Sequence, residues 1–440
     1  MGGCVRDALL ARPFGDFDIE VFGATHLDDI ESVLSPKFTV NAVGKSFGVL
    51  KIRVDAHDVD ISLPRTEEKT GIGHKGFAVN THADIPFAEA AARRDFTVNA
   101  MGYDPIAQEL LDPFNGQADL AQKTLRAVGP QFVEDPLRVL RAAQFAGRLG
   151  FEIAPQTIQI CRSMDTGELP QERIGAEVMK LLIQSPRPSD GFKWFPVLGI
   201  MPLFPELAAM QGCVQDQHWH LEGNAWVHTL MVIDEIAKIP AESLAQATIF
   251  RLAALCHDLG KPKTTRFLSG RWRALGHESA GVEPAHLLMK RLCVSEKIIE
   301  NVLPLVQNHM APGQLAKANL KKPISDSVVR RLSTKVSIAQ LAVVADADHR
   351  GRTSTAEAEP LYQNAGQWLL EKSENLSVSD SKPAPLVTGQ DLVALGVKPG
   401  KEMGKILKQL YYGQISGRYS TKESALAAAK KMTPHYGAPS

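Results

Sequence analysis

The sequence predicts an α+β protein, in which a small head mixing strands and helices is followed by a nearly all-helical remainder. Three observations carry this reading. Residues 16–21 (Asp-Phe-Asp-Ile-Glu-Val) alternate strictly between polar and apolar side chains, the period of a half-buried strand. Leu50, Ile52 and Val54 alternate with Lys51 and Arg53, and Asp55-Ala56-His57 then turns the chain into Asp58-Val59-Asp60-Ile61-Ser62-Leu63, which predicts a β-hairpin. From about residue 130 onward strand signals disappear and apolar residues recur at helical spacing, as in Leu137, Leu140, Phe145 and Leu149.

Composition sets the outer bounds. The chain has 440 residues, 49 basic against 49 acidic, with 44% hydrophobic side chains, which excludes disordered and collagen-like classes. At roughly 100–200 residues per domain, this length implies two to four domains. No apolar run approaches the ~18 residues that span a bilayer, and the N-terminus lacks a signal pattern, so a cytoplasmic protein without a membrane partner is expected. The five cysteines (Cys4, Cys161, Cys213, Cys256, Cys293) never form CxxC, which predicts buried free thiols rather than disulfides or a thiolate zinc site. Charge is skewed within the neutral total. Residues 398–440 carry eight basic and two acidic side chains, with Tyr411, Tyr412 and Tyr419 among them, a pattern that suits either an RNA-contacting surface or a solvated helical face.

In chain order, Gly2-Gly3 precedes a helix-like stretch from Val5 to Leu10, an arrangement that leaves backbone amides to cradle a phosphate; alone, a double glycine is only a turn. Asp16 and Asp18 lie two apart on a strand, so both carboxylates project to one side, where Mg²⁺ could bridge them. Asp60, on the polar side of the hairpin, offers the third carboxylate of a two-metal phosphoryl-transfer site. By themselves these acids are more simply read as solvated groups on an open sheet face. Further on come Arg93-Arg94-Asp95 with Asn99, Asp112-Pro113-Phe114-Asn115-Gly116, Glu134-Asp135-Pro136-Leu137-Arg138, and Glu172-Arg173 with Glu177 and Lys180. Asp135 and Arg138 are one helical turn apart, so an acceptor and a guanidinium could meet one base edge together, although Asp135 also fits as a helix cap ahead of Pro136.

This ordered set resembles the class II tRNA nucleotidyltransferase and bacterial poly(A) polymerase family, specifically its CCA-adding branch. The resemblance implies a nucleotidyltransferase head at 1–128, a helical neck and body at 129–205 binding the base and RNA, an HD domain at 206–356, and a tRNA-binding helical tail at 387–440. It implies Asp16, Asp18 and Asp60 as catalytic carboxylates, with Asp16 and Asp18 holding Mg²⁺. Gly3, Arg6, Arg65, Arg94, Asp95, Asn99, Asp135, Arg138 and Arg141 would bind nucleotide, Asp135 and Arg138 acting as a protein template. The helix carrying Glu172, Arg173, Glu177 and Lys180 would brace them. Implied partners are tRNA, CTP and ATP. In the resembled family a strand precedes the double glycine, whereas here Met1 stands directly before Gly2; the expectation is that translation begins upstream.

Residues 218–309 hold seven of the thirteen histidines, which suggests a metal site. Ala253 to Lys261 places His257 and Asp258 at a helix end that Gly260 is expected to close. With His228 upstream and Asp348 in Ala347-Asp348-His349-Arg350-Gly351-Arg352, the pattern resembles the HD phosphohydrolase domain. That resemblance implies His228, His257, Asp258 and Asp348 as ligands of Ni²⁺, Mn²⁺ or Mg²⁺, with His277, Glu278 and His309 lining the pocket. It implies hydrolysis of 2′,3′-cyclic nucleotides or of an RNA end. A Pro- and Ser-containing linker is expected near 372–386, and Asp391 is expected to cap the helix that opens the tail. Three other readings remain at this stage: a poly(A) polymerase, an enzyme adding only CC or only A, and an HD phosphohydrolase whose head merely binds RNA.

Overall fold

The structure, a computed structural model, describes residues 1–41, 48–64, 66–69, 77–80, 84–353 and 364–432. Arg65 lies outside them. Two compact units are present, Met1–Pro205 and Glu206–Ser440.

In the first unit, β1 (Asp16–Glu20), β2 (Val49–Val54) and β3 (His57–Ser62) form a sheet in the order β1-β3-β2, with β1 and β3 parallel and β2 and β3 antiparallel. Leu50, Ile52, Val59 and Ile61 are buried on one side and pack with Phe17, Leu27, Ile30 and Leu34. At about 1.5–3 kcal/mol for each fully buried side chain, that apolar face pins the register, because a one-residue slip would turn every side chain over. Aspartates of the same strands are thereby forced onto the opposite face. The helix Leu137–Leu149 begins the mainly helical part of the unit; a two-residue strand, Glu152–Ile153, returns to pair with Thr124–Leu125, and the helices Pro155–Ser163 and Gln171–Gln184 follow.

The second unit is built on the helices Ala225–Ala237, Leu244–Cys256, Glu296–Asn308 and Ile338–Arg350, with Val232, Leu252, Leu255, Val302, Leu305, Leu341 and Val344 all buried. The helices Gly389–Ala394, Lys401–Ile415 and Lys422–Met432 share a small apolar cluster that includes Leu392, Val397, Met403, Leu410 and Ala429. No described helix is long and apolar enough to cross a membrane.

Several sequence expectations need correction. Strands do not end at residue 130: Thr265–Leu268 and Arg271–Ala274 form an antiparallel hairpin, its turn made by Ser269 and Gly270 with φ of 51° and 78°. Its alternation of arginines with Phe267 and Trp272 is too short to stand out beside long helices. The cap of the helix at 389 is Thr388, with Asp391 completing a capping box. The helix Ala365–Glu374 enters the segment expected as a linker. Among the free cysteines Cys293 is exposed and Cys4 half-buried, while Cys161, Cys213 and Cys256 are buried.

Candidate active sites

A cleft of about 940 Å³ in the first unit is lined by Gly3, Arg6, Asp16, Asp18, Asp60, Arg94, Asp95, Asn99, Asp135, Arg138 and Arg141. The candidate catalytic and nucleotide-binding residues of the head that the structure describes therefore face one space, whereas Gly2, Arg93 and Asp112 to Gly116 do not line it. The β-register pairs Asp16 with Asp58 and Asp18 with Asp60, giving four carboxylates on one face. Asp16 and Asp18 are exposed, and among the described residues they make no side-chain hydrogen bond or ion pair. Asp60 differs, because Lys51, its neighbour on β2, donates to both its oxygens at 2.8 and 2.9 Å. The like charges on this face favour such a cation. The three expected carboxylates share this face with Asp58, but Asp60 is held by a lysine. Among the described residues, the acidic and imidazole sets whose ligand atoms close to within 4.8 Å all belong to the second unit. Free, clustered carboxylates of this kind fit a hard divalent cation, and an exposed pair such as Lys51–Asp60, worth about 0–1 kcal/mol, yields readily to one.

Behind the carboxylates lies a linked polar network. Arg6 is buried, pairs with Asp7 at 2.7 Å and donates to Asn99 at 2.5 Å; Asn99 in turn donates to Asp95 at 2.9 Å. Arg141 reaches Asp95 at 2.6 Å and Glu177 at 3.8 Å, and Lys180 holds Glu177 at 2.9 Å. Burial is the largest influence on Asp95 and acts to raise its pKa, but Arg141 and the hydrogen bonds outweigh it and keep the carboxylate below its ordinary value. The guanidinium groups of Arg6, Arg141 and Arg148 all lie 5.1–5.8 Å from the centre of the Phe145 ring. Asp135 accepts from Leu137 N at 3.1 Å, as a cap does, and from Arg173 at 2.9 Å. Arg138 donates to the carbonyls of Gln131 and Arg93 at 2.6 and 2.5 Å. The helix Gln171–Gln184 thus braces the Asp135–Arg138 turn. Gly2 adopts φ 72°, where a Cβ would collide with Arg94, but its amide is spent on Met101 O at 2.9 Å and is not bare.

Sequence reading missed Lys51 and Asp58, and also Glu20. The Glu20 carboxylate is 2% exposed and lies 2.7 Å from Arg93 and 3.2 Å from Arg94. Hairpin arithmetic was the available signal: a turn that pairs 54 with 57 necessarily sets Lys51 opposite Asp60.

In the second unit His228, His257, Asp258 and Asp348 converge although they arise from separate elements. His228 Nε2 lies 3.0 Å from Asp348 and 3.4 Å from His257 Nε2, and His257 Nε2 lies 3.2 Å from Asp258. On the other side of Asp258, His277 Nε2 stands 3.3 Å from Oδ1 and 3.1 Å from His309 Nε2. His218 and His286 do not join these clusters. The Nδ1 atoms of His257, His277 and His309 lie 2.7–2.8 Å from the carbonyls of Ala254, Ala274 and Val306. A carbonyl only accepts, so each Nδ1 carries the hydrogen and each Nε2 is the atom turned inward as the candidate ligand. The His277 and His309 Nε2 atoms at 3.1 Å can share a proton or serve as ligands to one cation. Glu222, missed from the sequence, stands 3.0 Å from His228 Nδ1 and 2.7 Å from His220 Nδ1. Burial, with the neighbouring His277 and His257, pushes His309 down to about 3, so it is neutral and ligand-ready at ordinary pH. These residues can hold divalent metal. Gly260, expected to end the helix in a left-handed turn, has φ −84°. Its role is close approach, for a Cβ there would overlap the His277 carbonyl oxygen.

A head with a carboxylate sheet face and a helical unit with an HD-type cluster define a two-part nucleotide-processing protein. The poly(A) polymerase head domain profile matches residues 1–126, and the HD domain profile matches residues 226–351. The multifunctional CCA protein of Xanthomonas oryzae pv. oryzae is 37% identical over 96% of this chain and 98% of its own length. That of Dechloromonas aromatica is 41% identical over 67% of this chain and 69% of its own length. The crystal structure of Bacillus stearothermophilus CCA-adding enzyme in complex with CTP shares the fold at TM-score 0.64 and 20% identity, covering 98% of this chain and 92% of that one. Thermotoga maritima CCA-adding enzyme complexed with tRNA does so at 0.57 and 18%, covering 98% and 90%. The chain belongs to the multifunctional CCA protein family, the HD-containing, CCA-adding branch of the tRNA nucleotidyltransferases.

Proposed function

We propose that this protein adds or repairs the 3′-terminal CCA of tRNA from CTP and ATP without a nucleic-acid template, acts in the cytoplasm, and carries a separate phosphohydrolase in its HD domain. The observation that carries the reading is the single cleft in which a free carboxylate pair, the buried Arg6 with several half-buried arginines, and the Asp135–Arg138 turn all meet. The division into a head (1–128), neck and body (129–205), HD domain (206–356) and tail (387–440) belongs to the same proposal.

In the transfer step the RNA 3′-hydroxyl oxygen bonds to the α-phosphorus of the nucleotide, the bond to the β-phosphate bridging oxygen breaks, and pyrophosphate departs while the hydroxyl gives up its proton. Asp16 and Asp18, with Asp60, would hold Mg²⁺, which would supply charge neutralisation and make the hydroxyl more acidic. Arg6, Arg94, Asp95, Asn99 and Arg141 place the triphosphate and ribose. The base edge meets Asp135 and Arg138, whose positions are fixed by Arg173 and by the carbonyls of Gln131 and Arg93. In the HD domain a divalent ion, Ni²⁺, Mn²⁺ or Mg²⁺, on His228, His257, Asp258 and Asp348 supplies the Lewis acidity for attack of water on a phosphoester.

Incubation with tRNAs ending before the first C and after CC, and with an unrelated RNA, each with single nucleotides, tests the reading. Stepwise C, C, A addition confined to tRNA is the expected result; A-tailing of the unrelated RNA, or arrest after CC, overturns full CCA addition.

The tail keeps an apolar cluster of its own and turns Lys398, Lys401, Lys408, Lys430 and Lys431 outward. Deleting residues 387–440 is expected to weaken tRNA binding and flatten its dependence on salt while leaving base choice unaltered. Filter binding across a salt series checks this, and unchanged affinity and slope would refute it.

A further inference from the structure

Glu20 ends β1, the strand that carries Asp16 and Asp18, and period-two geometry starts its side chain on their face. Its environment is the opposite of theirs. Asp16 and Asp18 are exposed, whereas the Glu20 side chain is 2% exposed and its Oε1 lies 2.7 Å from Arg93 Nη2 and 3.2 Å from Arg94 Nη2. Both guanidiniums meet one oxygen, while the buried Oε2 has no hydrogen-bond partner among the described residues. A pair built for stability would engage both oxygens as a fork, and a buried ion pair adds little net stability in any case. The arrangement calls for a role in placing the arginines.

Those arginines open a three-residue turn that touches several parts of the cleft. The Arg94 side chain lines it. The Arg93 carbonyl accepts from Arg138 Nη2 at 2.5 Å, and Asp95 holds Arg141 at 2.6 Å, so the turn fixes the arginine expected at the base edge as well as one expected near the phosphates. Glu20 ties this turn to the strand bearing Asp16 and Asp18. One carboxylate cannot neutralise two guanidiniums, and its closer contact is to Arg93, which does not line the cleft. Arg94 is left with positive charge for a phosphate.

We infer that Glu20 is a positioning residue for nucleotide transfer: it locks the turn of Arg93, Arg94 and Asp95 to β1, and so fixes how far Arg94 and Arg138 stand from the carboxylates at 16 and 18. The inference rests on the transferase reading and deepens it, because base choice then depends on a carboxylate that never meets the base. Removing its charge leaves two adjacent guanidiniums to repel each other, which draws Arg94 from the phosphates and shifts the carbonyl that aims Arg138.

The test measures kcat and KM for incorporation of CTP and of UTP into a tRNA ending before the first C, with the full-length protein and Mg²⁺. The two nucleotides share phosphates and ribose and differ at the base edge, so the ratio of their kcat/KM values reports Arg138, and a KM change common to both reports Arg94. Glu20→Gln, which keeps the shape and removes the charge, is expected to lower kcat/KM for CTP by about 10²-fold, with KM raised for both nucleotides, and to shrink the preference for CTP by about 10-fold. Glu20→Asp, which keeps the charge, is expected to recover part of that preference. A loss of folded protein alone would lower kcat for both nucleotides alike and leave KM and the preference unmoved. An unchanged preference in Glu20→Gln and Glu20→Ala overturns the inference. Where those variants fail to fold, Arg93→Gln loosens the same turn from the other side; a lowered preference there sustains the inference and an unaltered one overturns it. Should the wild type extend no tRNA, the transferase reading fails on its own, and equilibrium dialysis with Mg²⁺ then decides. CTP bound in preference to UTP by the wild type and not by Glu20→Gln sustains the positioning role, whereas equal behaviour of the two proteins removes it.

Discussion

Replacing Asp16 or Asp18 by alanine is expected to lower nucleotide incorporation into tRNA by about 10³-fold or more while leaving HD-domain hydrolysis intact. The magnitude follows from the charge these carboxylates manage: Lewis-acid stabilisation of a phosphoryl-transfer transition state is worth several kcal/mol, and about 4 kcal/mol corresponds to 10³ in rate. The fold has little stake in either residue. Both are exposed at the edge of the sheet, and the register is held by the buried Leu50, Ile52, Val59 and Ile61 on the other face. Thermal melting should therefore move by less than about 0.5 kcal/mol equivalent, within the usual range for surface substitutions. Asp60→Ala is expected to cost activity too, but it also frees Lys51, so its loss mixes a missing ligand with a new positive charge on the catalytic face. Single-turnover incorporation of one nucleotide, measured against the hydrolysis of a cyclic phosphate in the same preparation, separates the sites. Retained incorporation in the double variant Asp16→Ala/Asp18→Ala would remove the polymerising role from this face.

Much of this was legible in the sequence because it follows from short-range geometry. Period-two alternation puts Asp16 and Asp18 together, a local consequence of φ and ψ, whereas Asp135 has extended backbone (φ −118°, ψ 101°) ahead of the helix Leu137–Leu149, where its reading as a cap holds and a shared helical turn with Arg138 does not. The less legible features depend on which strands become neighbours. Nothing local places β1 beside β3, so Asp58 as a fourth carboxylate emerges only from the parallel pairing. Lys51 lay within reach of hairpin arithmetic, but its effect on Asp60 is a property of side-chain reach. In the HD domain the histidines and aspartates could be listed by motif, yet their sharing of one aspartate between two imidazole pairs is tertiary. Glu222 carried no signal: it is a single acid in a loop that the fold brings under His220 and His228. The hairpin at 265–274 was lost because two four-residue strands give too short a period to compete with helical spacing around them.

Asp258→Asn is expected to abolish phosphohydrolysis, by about 10²-fold or more, and to lower metal content while nucleotide transfer continues. Asp258 is the one residue common to both imidazole pairs, with Oδ2 3.2 Å from His257 and Oδ1 3.3 Å from His277, so a single amide removes a negative charge from both positions at once. Asparagine keeps the shape. Alanine would also empty the site, whereas both substitutions leave Lys261 and the histidines without their buried counter-charge, a loss of about 3–5 kcal/mol, so thermal melting is recorded beside the activities. Burial, the largest influence on this carboxylate, acts to raise its pKa, but His257 and Lys261 outweigh it and hold the group well below its ordinary value. A depressed carboxylate contributes stability that is complete above the unfolded value near 3.8 and is lost only as pH falls through the lower folded value, so assays near neutrality do not touch it. Bound nickel measured by elemental analysis, hydrolysis of 2′,3′-cyclic AMP and CCA addition, all on the same full-length preparation, give the decisive set. Full hydrolysis with unchanged nickel in Asp258→Asn would show that the cluster is not a metal-dependent hydrolytic centre, whereas loss of CCA addition alongside hydrolysis would show that the two chemistries are not independent.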